Sequence, residues 1–297
     1  VYRYRIENGV PVFDTDITPE DDTPCGYSGI CSNGKMLLLS TVCRKNGGDM
    51  IYTSTDSGES WKIIMNGLEY SRFDWNIPYM KPAYNGGGNC VHWISDIKLS
   101  PFDSDTALFN TGTGLFMITG LASGDVLIKP FCEGIEETVH LNVYTTPHGR
   151  NRIIDIIGDL GGFAFKDYDS ECENSFANEK GDRYITCLNA DLTLSDPEYI
   201  VATPRGNWTG KTKGGLILSK DCGSTWERLS MPRGLSEFID KKLDNIEKPN
   251  VDSGWTAISA DRKRIIWGVA GGRGFSNKAV CYTDDEGKTW QKSVFMD

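Results

Sequence analysis

The stretch STDSGESW, residues 54–61, decides the fold, because its pattern returns as SKDCGSTW at 219–226 and as TDDEGKTW at 283–290. Each copy reads Ser/Thr-x-Asp-x-Gly-x-Ser/Thr-Trp, and each follows a short apolar stretch: MIYT, GLILS or AVCYT. A strand that must reverse needs such residues. The Asp side chain bonds amides within the turn, Gly accepts a positive φ, and Trp folds back over the hairpin. These are Asp-boxes. Asp56, Asp221 and Asp285, with Trp61, Trp226 and Trp290, are therefore read as structural turn residues, a signal of fold and not of an active site.

The boxes are separated by 165 and then 64 residues. A propeller blade takes about 40–50 residues, more with long loops, so the second gap fits one long blade and the first about three, with degenerate copies between. Short apolar stretches alternate with Gly, Asn, Asp and Pro clusters, as in DIKLSPFDSDTALFNTGTGLFMIT at 96–119. Only LSEFIDKKLDNI at 235–246 has a helical period, and it reads as a short loop helix. The expectation is an all-β chain of β-propeller blades with Asp-box hairpins. The stretch EYSRFDWNIPYMKPAYNGGGN at 69–89, rich in aromatics, Pro and Gly and lacking a strand period, reads as a junction between two propeller parts, with a functional loop as the competing reading.

A net charge of −10 over 297 residues argues against a nucleic-acid partner, since no basic excess exists to neutralise phosphates. No apolar run approaches the roughly 20 residues of a membrane span, so no membrane partner is expected. The first residue is Val1, so the chain is expected to be processed or a piece of something longer. Nine cysteines contain no CxxC pair, which disfavours zinc ribbons and thioredoxin-like sites. Cys25 with Cys31, and Cys172 with Cys187, are spaced to close loops. With the sequon Asn207-Trp208-Thr209, the cysteine count favours a secreted, extracellular protein.

Three histidines, none in an HExxH spacing, leave no metal site to expect, and no P-loop, GxSxG or nucleotide fingerprint calls for a cofactor. The scattered arginines do not suit a sialidase, which also carries Asp-boxes. Carboxylates and aromatics remain, the tools for neutral polysaccharides. IGDLGGFAF at 157–165 sets Asp159 among three glycines between two apolar stretches. An ordinary surface turn is one reading; a catalytic acid at the mouth of a groove is the other. In the second reading Gly158, Gly161 and Gly162 leave room for a bulky substrate, while Phe163 lowers the local polarity and keeps the acid protonated. Of the five tryptophans outside the boxes (Trp75, Trp93, Trp208, Trp255 and Trp267), each alone reads as core before it reads as a sugar platform.

Three segments in order carry a more specific signal: HWISDIKLSPFDSDTALFNTGTGLF (92–116), EGIEETVHLNVYTTP (133–147) and IIGDLGGFAFKD (156–167). GGLILSKDCGSTWERL (214–229) and SGWTAISADRKRIIWGVAGG (253–272) continue them. Together they resemble glycoside hydrolase family 74, the xyloglucanases and reducing-end-specific oligoxyloglucan hydrolases. The resemblance implies two tandem seven-bladed propellers flanking an open cleft, hydrolysis of xyloglucan with inversion, and one aspartate from each propeller. Asp159 matches the second propeller's general acid in its Gly-Asp-x-Gly-Gly-Phe segment. Substrate contacts are then expected at Trp93, His92, Gly161, Gly162 and Phe163. Residues 1–70 correspond to the closing blades of the first propeller and 71–297 to opening blades of the second, in a monomer without cofactors. Two departures accompany it. No Thr-Asp-Ile-Gly-Gly-like segment supplies the family's general base, and the paired tryptophans of some members' leaving-group platform read here as His92-Trp93. Glu136 and Glu137, in the family's GIEE, are read as structural acids. The rival readings are a non-catalytic carbohydrate-binding propeller and a sortilin-like peptide receptor.

Overall fold

The structure is a computed structural model that describes all residues except 22, 45–47, 81–90, 136–137, 173–174, 207–211, 231–253, 271–277 and 294–297. The helix expected at 235–246, the sequon with Trp208, Glu136 and Glu137, and residues 81–89 of the expected junction lie outside the described residues. Among the described residues the secondary structure is 21 β-strands. The chain divides into two compact units, Val1–Ile77 with Cys90–Glu137, and Pro78–Asn89 with Thr138–Asp297. This division at 137/138 separates groups of sheets. The boundary expected at 70/71 separates propellers, and is a different quantity.

In the first unit, β1 (Tyr2–Glu7) and β2 (Val10–Asp16) form a hairpin. Strands β3 (Gly26–Ser32), β4 (Leu37–Val42), β5 (Met50–Ser54) and β6 (Lys62–Asn66) form a four-stranded antiparallel meander, and the first Asp-box joins β5 to β6. A second meander follows as β7 (Asp96–Leu99), β8 (Ala107–Thr111), β9 (Gly114–Thr119) and β10 (Leu127–Pro130). Its last turn has no box. Asp105, from an earlier loop, accepts the amides of Gly120 and Ala122 at 3.1 and 2.8 Å and does the same task from a distance.

The second unit holds a seven-stranded sheet and a four-stranded one. In the first, β11 (Val139–Thr145), β12 (Ile153–Gly158) and β13 (Gly161–Phe165) form one antiparallel meander, and β14 (Thr186–Thr193), β15 (Asp196–Arg205), β16 (Ile217–Ser219) and β17 (Glu227–Arg228) form another. A single parallel pair, Gly161 with Thr186, joins them. The last meander is β18 (Trp255–Ile258), β19 (Ile265–Ala270), β20 (Lys278–Thr283) and β21 (Gln291–Lys292).

Burial explains why β15 reads EYIVAT without alternation. Tyr199 and Val201 join Leu218, Trp267 and Val269 in one cluster, while Ile200 and Ala202 join Ile154, Ile156, Phe176 and Trp226 in another. Both faces of the strand are covered, so both must be apolar. Stacked four-stranded meanders of this kind are blade-like packing.

The three boxes repeat one geometry. Ser54, Ser219 and Thr283 each accept the amide of the box glycine at 2.8 Å and donate to the box aspartate at 2.7–2.8 Å. The aspartate's two oxygens then take the amide and hydroxyl of Ser60, Thr225 or Thr289. Two consecutive residues are left-handed, not the glycine alone: Ser57, Cys222 and Glu286 have φ of +64°, +57° and +56°. The tryptophans reach further than their own hairpins. Trp61 donates to the Ile17 carbonyl at 2.7 Å and Trp290 to that of Ser230 at 2.9 Å, while Trp226 packs on Phe176 with ring centroids 4.5 Å apart. The expected loop closures do not form: Cys25, Cys31, Cys172 and Cys187 all carry free thiols.

Hydrogen bonds from Ser60 and Thr289 hold the Asp56 and Asp285 carboxyls down at about 2. A depressed folded-state value stabilises the fold fully above the ordinary carboxylate range and loses that contribution as pH falls through the folded value. Thermal melts of the parent and an Asp56→Asn/Asp285→Asn variant should therefore differ most above pH of about 4 and converge toward pH of about 2. Glycine provides a second prediction. At Gly161 φ is +85°, and a Cβ would lie 2.6 Å from the Tyr184 carbonyl oxygen, whereas at Gly112 it would meet nothing within 4 Å. In urea melts, Gly161→Ala should lose about 2–3 kcal/mol and Gly112→Ala almost nothing.

Candidate active site

Asp159 occupies the tip of the β12–β13 hairpin. Ile157 pairs with Gly161, leaving Gly158, Asp159 and Leu160 as the connection. Asp159 is itself left-handed, at φ +61°, a region in which short polar side chains are the least penalised after glycine. The neighbouring segment grips this turn through its backbone. The Asp159 amide donates to Thr186 Oγ1 at 3.0 Å, the Gly161 amide donates to the Ile185 carbonyl at 3.0 Å, and Arg183 Nη2 reaches the Asp159 carbonyl at 3.5 Å. Leu160 is buried beneath, while the Asp159 residue is exposed. The fold thus fixes the backbone of the acid from one side and turns the residue out to solvent.

The surroundings of Asp159 differ from the sequence reading. Gly161, Gly162 and Phe163 are buried, so they are not a substrate-facing surface in this structure. A Cβ on Gly162 would lie 2.7 Å from the Asp155 carbonyl oxygen and 2.8 Å from the Phe176 ring. Both glycines make room for neighbouring protein rather than for a ligand. Phe163 is 1% exposed and lies in the interior, so it is not an apolar wall beside an exposed carboxyl.

A group that the sequence reading missed lies one strand away. Asp155, in the middle of apolar RIIDIIG, is buried on β12, and both of its oxygens lie 2.9 Å from His140 Nδ1 on β11. The other imidazole nitrogen, Nε2, is 2.6 Å from Thr138 Oγ1. Burial raises the Asp155 carboxyl above its ordinary range, against the opposing pull of the His140 hydrogen bond. An acid in an otherwise apolar strand was the available signal, since a buried carboxylate needs a partner. Val139 and His140 pair with Gly158 and Ile157, so this chain of hydrogen bonds flanks the Asp159 turn.

In the first unit, Trp93 is 62% exposed and left-handed at φ +62°, with His92 edge-on to it at 6.1 Å between ring centroids. Of the other tryptophans outside the boxes, Trp267 is buried, Trp75 is stacked on Phe73 at 4.9 Å, and Trp255 is 68% exposed at the start of β18. Among the described residues, Trp93 and Trp255 are thus the tryptophans outside the boxes that are largely exposed. Among the described residues, no group of three or more His, Cys, Asp or Glu is arranged to hold a metal.

No family profile matches the chain. Among curated proteins, a xyloglucanase of Paenibacillus sp is 24% identical over 305 residues, covering 94% of this chain and 27% of the relative. A xyloglucanase of Acetivibrio thermocellus is 24% identical, covering 93% and 32%. An oligoxyloglucan-reducing end-specific xyloglucanase of Emericella nidulans is 25% identical, covering 90% and 35%. The chain spans about a third of the length of these relatives. Among solved structures, a glycoside hydrolase family 74 xyloglucanase from Xanthomonas campestris matches with a TM-score of 0.72 at 21% identity, over 97% of this chain and 38% of that one. A family 74 enzyme from Niastella koreensis matches with a TM-score of 0.69 at 19% identity, over 98% and 37%. The likeness in structure establishes the all-β, propeller-type fold. In sequence and in fold, the chain resembles glycoside hydrolase family 74 along nearly its whole length.

Proposed function

We propose that this chain is part of a xyloglucan-hydrolysing glycosidase in which Asp159 is the general acid. The observation that carries the reading is the exposed, left-handed Asp159, held by its backbone at the tip of a Gly-Asp-x-Gly-Gly-Phe hairpin. In this reading the protonated carboxyl gives its proton to the glycosidic oxygen as the C–O bond breaks. Water attacks the opposite face of the sugar and gives its proton to a second carboxylate, with inversion. That base is not assigned to any residue of this chain. Trp93, with His92 beside it, stacks on the β-1,4-glucan backbone. Residues 1–70 and 71–297 are read as parts of successive propellers, and the protein as secreted and monomeric. The xyloglucanase names of the relatives support the substrate class.

One observation favours a second reading. Asp159 is exposed and lacks the apolar wall expected from Phe163, which suits a carbohydrate-binding propeller without catalysis. Reducing-sugar release from xyloglucan separates the two. The chain alone, with no base assigned to it, is expected to be a poor catalyst or none; joined to a segment that supplies the base, the parent should be active and Asp159→Asn should lose at least about 100-fold in kcat, the usual scale of general-acid catalysis, with KM little changed. Equal activity in both proteins would remove Asp159 from the mechanism. Polymer binding by a joined parent with no activity would support the second reading.

A further inference from the structure

Asp49 is fully buried at the foot of β5 in the first unit, and three donors converge on its carboxylate. Oδ1 accepts the Thr41 hydroxyl and the Arg44 amide, each at 3.1 Å. Oδ2 accepts the amide of Ile94 at 3.1 Å, across 45 positions of sequence. The backbone of Asp49 is engaged as well. Its amide donates to the Val91 carbonyl at 2.9 Å, its carbonyl accepts the Gly67 amide at 2.9 Å, and the Gly67 carbonyl accepts the Val91 amide at 2.9 Å. Positions 91 and 94 are therefore both tied to one residue, and both are buried, at 1% and 0% exposure. Between them stand His92 and Trp93.

The close approach of these segments depends on glycine. A Cβ on Gly67 would lie 2.1 Å from the Val91 carbonyl oxygen, and one on Gly48 would lie 2.3 Å from the Gly67 carbonyl carbon. Local forces do not favour what results. Trp93 is a bulky residue at φ +62°, where side chains cost about 1–2 kcal/mol, and its indole faces water. Such a conformation persists only where the surroundings over-determine it. Asp49 supplies that constraint, holding the chain at Val91 and at Ile94, on either side of His92 and the left-handed Trp93.

We propose that Asp49 is the positioning residue of an aromatic sugar platform: by pinning Val91 and Ile94 it presents the Trp93 indole in one fixed pose to a pyranose ring. This rests on the carbohydrate reading above and adds to it the residue that fixes the platform. Stacking on a sugar requires a flat face at a defined angle, and a loose indole would have to be ordered on binding. A carboxylate suits the position because it only accepts, and three donors face it. An asparagine has one oxygen, which can serve Thr41 and Arg44, and then sets its NH2 against the Ile94 amide. Asp49→Asn is thus a selective release of position 94.

The test is calorimetric binding of a xyloglucan oligosaccharide by the full 297-residue chain and by Asp49→Asn, Trp93→Ala and the double variant. Trp93→Ala should weaken binding about tenfold, Asp49→Asn by a similar factor, and the double variant no further than Trp93→Ala alone. Parental affinity in a folded Asp49→Asn, or additive losses in the double variant, overturns the role of Asp49 and leaves the carbohydrate reading intact. Absence of binding by the parent overturns both. Amide hydrogen exchange keeps the proposal falsifiable where Asp49→Asn fails to fold. In the parent, the Ile94 amide, which lies outside any strand, should exchange as slowly as the amides of β5; fast exchange there excludes the clamp.

Discussion

Gly161 and Thr186 form the one parallel backbone pair between named strands among the described residues, and the second unit is organised around it. Two antiparallel meanders that would otherwise be separate blades become continuous at this point. The contact requires a residue without a Cβ, since the Tyr184 carbonyl oxygen occupies the place where one would sit. It also requires the hairpin tip to lie against the start of β14, and this is how Thr186 comes to accept the Asp159 amide. The position of the acid is therefore a consequence of how two blades meet. Its own turn has little to hold it.

The same principle recurs in the first unit. Asp49 bonds the chain at Val91 and Ile94, on either side of His92-Trp93, and is itself placed by β4, β5 and the segment after β6. In both units a residue of functional interest has an unfavourable backbone conformation, stabilised by hydrogen bonds from parts of the chain remote in sequence. Strain of this kind is tolerated at a site when rigid neighbours define it. In both cases the holding bonds are made to backbone groups, those of Asp159 and of Ile94.

What could be read in the sequence was what is local. The three boxes are decided within eight residues each, and the hydroxyl, carboxylate and glycine that make the turn all fall inside the motif. The blade-like meanders follow from them and from the spacing of apolar stretches. Asp159 was legible as a residue but not in its environment. Its glycines read as space for a ligand, yet that at Gly161 and Gly162 is filled by Tyr184, Asp155 and Phe176, and Gly158 faces Val139 of the adjacent strand. His140 with Asp155, and Asp49 with Ile94, were invisible for the same reason: each pair joins residues 15 or 45 positions apart. The box tryptophans were read as covers for their own hairpins. Two of them instead donate to carbonyls 44 and 60 positions away, a reach no local pattern records.

The central claim is that the exposed Asp159 carboxyl gives a proton to a leaving oxygen. A comparison of leaving groups tests it most directly, because a good leaving group departs without protonation. With the chain joined to a segment that supplies the general base, rates of Asp159→Ala and the parent would be measured on xyloglucan oligosaccharides and on an aryl glycoside of the same sugars with a dinitrophenolate leaving group. The account predicts a loss of at least about 100-fold on the oligosaccharide and near-parental rates on the aryl glycoside. Equal losses on both substrates would contradict it, since a residue that matters irrespective of the leaving group is not the acid that protonates it.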